Sequence, residues 1–192
     1  MILFEKLLAN VAKKPKFVRF DDPEIKRIFL ENWDIDKDGK IAIEEAMSVN
    51  SILKSVFRGL NSDNGTIDLS LFQNLTSIGL NAFRFIKHAS KLIMPNSVTA
   101  YDTHFYGSSI DTLIIPSITS VSSCCWGLTF NNIVIKSAEP PVKGTHEAGY
   151  GWQKKPTSKI FVPNESVDKY KQSEAFSSVA SYIYPLSEYN DN

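Results

Sequence analysis

The chain repeats itself with a short period, and a chain that does so has few folds open to it. Three segments align without a gap: Ile78-Gly79-Leu80-Asn81-Ala82-Phe83, Tyr101-Asp102-Thr103-His104-Phe105-Tyr106 and Val121-Ser122-Ser123-Cys124-Cys125-Trp126. Each opens on a large apolar or aromatic residue and closes on an aromatic five positions later. Each leads into a short stretch of alternating apolar residues: Leu92 and Met94, Leu113 and Ile115, Ile133 and Ile135. The first two stretches end in proline, and the turns Pro95-Asn96-Ser97-Val98 and Pro116-Ser117-Ile118 restart the cycle. Equivalent positions are 23 (Ile78 to Tyr101) and 20 (Tyr101 to Val121) residues apart. A fainter copy begins at Ile52 and Phe57, with a strand around Ile67 and Leu69.

A period of this length with one short strand per unit is that of a leucine-rich repeat. One unit is too small to bury its own apolar face, so units stack and their strands form a parallel sheet. Proline directly after a strand fits, because it cannot donate into the ladder. Lys159-Ile160-Phe161-Val162-Pro163 repeats the strand-then-proline pattern, and Asn164 or Ser166 can then cap a short helix through Val167, Tyr170 and Lys171. Phe176, Val179, Tyr182 and Ile183 suit the cover that a stack needs at its end. Lys143 to Ser158 reads as a long polar loop. The expected fold is α+β: a helical segment over residues 1–50, a short repeat solenoid over 51–142, and a loop, last strand and C-terminal cap over 143–192.

The first segment has helical spacing. Leu3, Leu7, Leu8 and Val11 share one face, and Lys13-Lys14-Pro15-Lys16 ends that helix. Asp22-Pro23 starts a second helix, with Asp22 as cap and Ile25, Ile28, Phe29 and Trp33 as its apolar stripe. A third carries Ile43, Ala46, Met47 and Val49 inward. Between the last two lies Asp34-Ile35-Asp36-Lys37-Asp38-Gly39-Lys40-Ile41-Ala42-Ile43-Glu44-Glu45. This has the spacing of a 12-residue calcium loop, the EF-hand. Calcium takes six to eight oxygens, and a coiling backbone brings carboxylates at positions 1, 3 and 5 together. Those are Asp34, Asp36 and Asp38. Gly39 holds the sharp turn, Lys40 offers its backbone carbonyl with its side chain turned away, Ile41 packs inward, and Glu45 closes the shell with both oxygens. Asn61-Ser62-Asp63-Asn64-Gly65-Thr66-Ile67 resembles a second loop but ends on Phe72 where the acid belongs, so it reads as a turn before a strand. A lone site predicts a structural Ca2+ ion that ties the two helices to the repeats.

Little else in the chain carries chemistry. Lys plus Arg equals Asp plus Glu at 21 each, which gives no pull towards nucleic acid. No apolar run reaches the roughly 20 residues that span a bilayer. Glu5 and Lys6 interrupt the apolar start, so it does not read as a signal peptide. The cysteines, Cys124 and Cys125, are adjacent and form no disulfide framework. His88, His104 and His146 have no acid or cysteine at triad or metal spacing, so no catalytic residue is expected. Tyr101, Tyr106 and Trp126 read as repeat-core positions. Tyr150 and Trp152, among glycines, read as partner contacts.

The unit Ser77–Phe83 with Leu92–Val98 resembles the BspA-type leucine-rich repeat of bacterial surface proteins. The tail Ile160–Lys171 looks like the C-terminal cap such proteins carry, and Glu31-Asn32-Trp33 leading into Asp34–Glu45 is similar to EF-hand, dockerin-like preludes. The resemblance implies a cell-surface or secreted protein, an adhesion or interaction module for a protein or glycan ligand. The alternative it leaves open is an assembly unit whose dockerin-like segment connects it to another protein.

Overall fold

The computed structural model describes residues 17–53, 55–79, 81–102, 104–122, 127–151 and 153–191. The helix expected over Leu3 to Val11, and Leu80, Cys124, Cys125, Trp126 and Trp152, lie outside the described residues.

The chain forms a mixed α/β structure with parallel sheets. Its elements are α1 (Pro23–Trp33), α2 (Ile43–Ser48), β1 (Ser51–Ile52), β2 (Asn61–Asp68), β3 (Ser77–Ile78), β4 (His88–Ile93), β5 (Ala100–Asp102), β6 (Ile110–Ile115), β7 (Ser120–Ser122), β8 (Thr129–Ile135), β9 (Val142–Lys143), β10 (Gln153–Val162), α3 (Val167–Gln172) and β11 (Ile183–Pro185). A six-stranded sheet runs β2-β4-β6-β8-β10-β11 with every neighbour parallel. Two small parallel sheets, β1-β3 and β5-β7-β9, are made from the connections between its strands. Parallel neighbours need a crossover. Here each circuit from β2 to β10 carries a short strand of its own, and the last, from β10 to β11, carries α3 instead.

One register row holds the core together. Ile67, Leu92, Leu113, Ile133, Ile160 and Ile183 are aligned across all six strands, and none is more than 2% exposed. Behind them Phe57 stacks on Phe83 at 5.8 Å between centroids, and Phe83 on Phe105 at 5.5 Å. Asp22 caps α1, accepting from the N–H of Glu24 and of Ile25, each at 2.8 Å. Its stripe of Ile25, Ile28, Phe29 and Trp33 is buried. Phe29 packs edge-on to Phe72 at 5.7 Å and lies 5.9 Å from Phe57, so α1 and the sheet share one apolar cluster. No helix among the described residues is long and apolar enough to cross a membrane.

A backbone column recurs once per circuit. Gly59, Phe85, Gly107, Gly127 and Gly151 all have positive φ, from +58° to +83°. Gly59 N–H bonds to Phe85 O, Phe85 N–H to the carbonyl of Tyr106, which precedes Gly107, and Gly127 N–H to Gly151 O. This conformation suits glycine and crowds the Cβ of any other residue.

Several details depart from the sequence reading. Phe105, not Tyr106, stands in the buried aromatic stack; Tyr106 is half-buried. Phe83 N–H bonds to His104 O, which aligns Phe83 with Phe105 and shifts the repeat by one residue. Met47 is exposed, because α2 is a short helix that buries only Ala46. Asn61–Ile67 is strand from its first residue, with a register break between Ser62 and Thr66. Gly65 lies in that break, where a Cβ would meet Ser62 Oγ at 2.2 Å and Ile25 Cδ1 at 2.5 Å. The polar loop is shorter than 143–158, since Lys143 pairs in β9 and β10 begins at Gln153. Neither Asn164 nor Ser166 caps α3. Ser166 makes no side-chain cap bond, and Asn164 Oδ1 accepts from Ser187 N–H instead. The outer sheet face carries its own apolar row, Ile114, Val134 and Phe161, covered by Tyr184, Leu186 and Tyr189 of the C-terminal tail.

Candidate metal centre

The loop between α1 and α2 closes on itself through its own backbone. Lys37 and Gly39 both take positive φ, +60° and +82°, which coils the chain tightly enough for its carboxylates to converge. Asp34 Oδ2 accepts from Gly39 N–H at 3.0 Å, Asp36 Oδ1 from Asp38 N–H at 3.1 Å, and Asp38 Oδ1 from Lys40 N–H at 2.8 Å. Each aspartate spends one oxygen on the backbone, and the second oxygen of Asp38 faces Lys40 Nζ at 3.8 Å. Among the described residues, Asp34, Asp36 and Asp38 form a cluster with one carboxylate oxygen each within 4.8 Å of the others. Asp34 Oδ1 is buried and has no hydrogen-bond partner. Buried acceptors are ordinarily paired, so this oxygen fits a cation held by the loop. Hard carboxylate oxygens of this kind suit calcium or magnesium rather than a soft metal.

Glu45 sits at the loop's mouth. Its Oε1 accepts from Ile35 N–H at 2.7 Å and Asp36 N–H at 3.3 Å, and its Oε2 from Ala42 N–H at 2.8 Å. Both oxygens are thus on the backbone, and Glu45 stands outside the three-aspartate cluster. To ligate an ion it must give up part of that bonding. Lys40 does not turn wholly away: its Nζ is 3.8 Å from Asp38 Oδ2 and 4.9 Å from the Phe17 ring centroid.

The loop's far side is anchored to the fold. Ile41 is fully buried, and its carbonyl accepts from Val18 N–H at 2.8 Å. Phe17 bridges antiparallel to Ala42. Residues 17 and 18 thus pair with the end of the loop at residues 41 and 42.

A second polar set lies on the outer sheet face, assembled from residues 20 or more positions apart in the chain. His88 Nδ1 is 3.0 Å from Ser62 O and 3.3 Å from Asp63 Oδ1, and its Nε2 is 3.1 Å from Asp111 Oδ2. Asn131 Nδ2 donates to Asp111 Oδ1 at 2.9 Å, and Lys155 Nζ to Asn131 Oδ1 at 3.1 Å. This ladder crosses five strands. It borders a groove of about 500 Å³ whose far wall is Tyr189, Asn190 and Asp191. His88 is therefore not isolated; its partners come from neighbouring circuits more than 20 residues away. His104 is buried, with Nε2 3.4 Å from Ala100 O, and His146 stacks on Tyr150 at 4.2 Å.

Compared with models of known protein families and with curated proteins, the chain gives no significant match to either.

Proposed function

We propose that the chain is a calcium-binding leucine-rich-repeat module, in which an EF-hand loop, Asp34 to Glu45, stabilises a short solenoid that binds a protein or glycan partner outside the cell. The observation that carries the calcium part is the buried, unpartnered Asp34 Oδ1 in a cluster with one carboxylate oxygen each of Asp36 and Asp38. Asp34, Asp36, Asp38 and Glu45 would hold the ion through side chains, and Lys40 through its carbonyl. The ion supplies no reaction step; it neutralises converging carboxylates and fixes α1 against α2. The six-strand register row supports the solenoid reading, and the polar groove on the outer strand face is suited to a hydrogen-bonding ligand.

The connector alternative needs a separable helical segment. Phe29 and Trp33 are built into the same cluster as Phe57 and Phe72, which favours a stabilising role for the ion. Thermal melts in calcium and in EGTA test the reading. Calcium should raise Tm of the native chain and leave Asp34→Ala and Glu45→Ala unmoved. Coincident melts for the native chain would remove calcium from the proposal.

A further inference from the structure

In the column of left-handed residues, four of the five described members are glycine and the fifth is Phe85, at φ +58°. A phenylalanine there stores strain that glycine avoids, and such strain concentrates at functional positions. The fold accommodates the ring rather than merely tolerating it. Gly107, next in the column, leaves room for it: a Cβ on Gly107 would come within 2.9 Å of Phe85 Cε1. The ring meets Tyr106 at 5.7 Å, steeply tilted. The guanidinium carbons of Arg58 and Arg84 lie 5.3 and 4.3 Å from its centroid, and Arg84 is also 4.9 Å from that of Tyr106. Arg58 and Lys87 are exposed, while Arg84, Phe85 and Tyr106 are half-exposed. Among the described residues no carboxylate forms an ion pair with Arg58, Arg84 or Lys87. On a chain with no net charge, this is a concentrated cationic and aromatic patch.

We propose that Phe85, Arg58 and Arg84 form a docking site for an acidic segment of a partner protein. The proposal rests on reading the chain as a binding module and names the partner's chemistry. Stacking on a ring fixes a guanidinium plane and leaves its N–H fork for a carboxylate, which it meets with two parallel bonds. Pre-ordering the arginines lowers the entropy lost on binding. Arginine and tyrosine beside a ring is also the composition of protein–protein hot spots. Three cations are too few for the cumulative phosphate contacts on which nucleic-acid binding depends.

Fluorescence anisotropy of the full chain with a labelled peptide of alternating Glu and Ala, at low ionic strength and constant calcium, tests this. The native chain should bind it and not the Lys-for-Glu counterpart. Phe85→Gly should weaken binding by about tenfold or more while Tm stays level or rises, since strain is released. The double variant Arg58→Gln/Arg84→Gln removes the two ring-stacked cations, neither of which holds an ion pair among the described residues, and should lose binding while the chain still melts in one transition. The site is overturned if the native chain ignores the peptide or if either variant binds it like the native chain. It is equally overturned if polygalacturonate or a single-stranded oligonucleotide displaces the peptide more readily than unlabelled peptide does. A loss of Tm in Phe85→Gly with binding intact would make the ring structural only. The calcium-dependent Tm shift, read on the same variants, should persist, which separates failure of this site from failure of the calcium reading.

Discussion

Asp34 serves two ends with one side chain: Oδ2 fixes the turn at Gly39, and Oδ1 is left for an ion. Asp36 and Asp38 each likewise fix a backbone N–H with Oδ1. Asp36→Asn and Asp38→Asn keep an oxygen for the backbone N–H but lose the charge. They should weaken calcium binding severalfold or more by calorimetry without lowering the melting temperature in EGTA. Gly39 has nothing within 4 Å of an added Cβ, so only its φ of +82° constrains it. Gly39→Ala should therefore cost about 1–2 kcal/mol, read from urea unfolding, with no steric component. The aspartates were legible in sequence because their spacing is local: Asp34, Asp36 and Asp38 lie two residues apart. The partners of His88 were not legible, because Asp63 and Asp111 reach it from other circuits.

At the scale of elements, α1 was readable from its cap and stripe, and the structure places both as the sequence implied. Burial pushes the Asp22 carboxyl up, but hydrogen bonds from Ser62 Oγ and from the N–H groups of Ile25 and Glu24 together outweigh it and hold it below the usual range. A depressed carboxylate contributes stability above its unfolded pKa and loses it as pH falls through the lower folded value. Asp22→Ala should cost about 1–2 kcal/mol at neutral pH by chemical unfolding, and the deficit should shrink in acid. The C-terminal tail had no sequence signature, since nothing local marks Tyr184, Leu186 and Tyr189 as cover for Ile114, Val134 and Phe161. Its end is pinned by Asp191, whose carboxyl the Lys91 ammonium 2.6 Å away, and then the Tyr189 hydroxyl, hold below the usual range. Burial, then Asp191, pushes the Tyr189 phenol up to about 12. The tail should stay closed at neutral pH and loosen as pH falls below the range where Asp191 ionises. Deleting residues 186–192 should expose the apolar row and raise the fluorescence of a hydrophobic dye at neutral pH.

Across the whole molecule, the inner row was readable because strand side chains alternate with period two. Leu92, Leu113 and Ile133 fall where the pattern put them. The aromatic stack was displaced by one residue because circuits differ in length, and backbone bonds, which the sequence does not display, set the alignment. The single cluster joining α1 to every circuit implies one cooperative transition rather than a melting helical segment followed by a sheet. Leu113→Ala, at the middle of the row and fully buried, should cost about 2–5 kcal/mol and lower the midpoint of that one transition. The claim on which the functional account turns is that the three aspartates and Glu45 close on one divalent ion. Titration calorimetry of the metal-stripped chain with calcium measures it directly. The account predicts binding at one ion per chain, lost in Asp34→Ala. No heat up to millimolar calcium, or equal heat from Asp34→Ala, would contradict it.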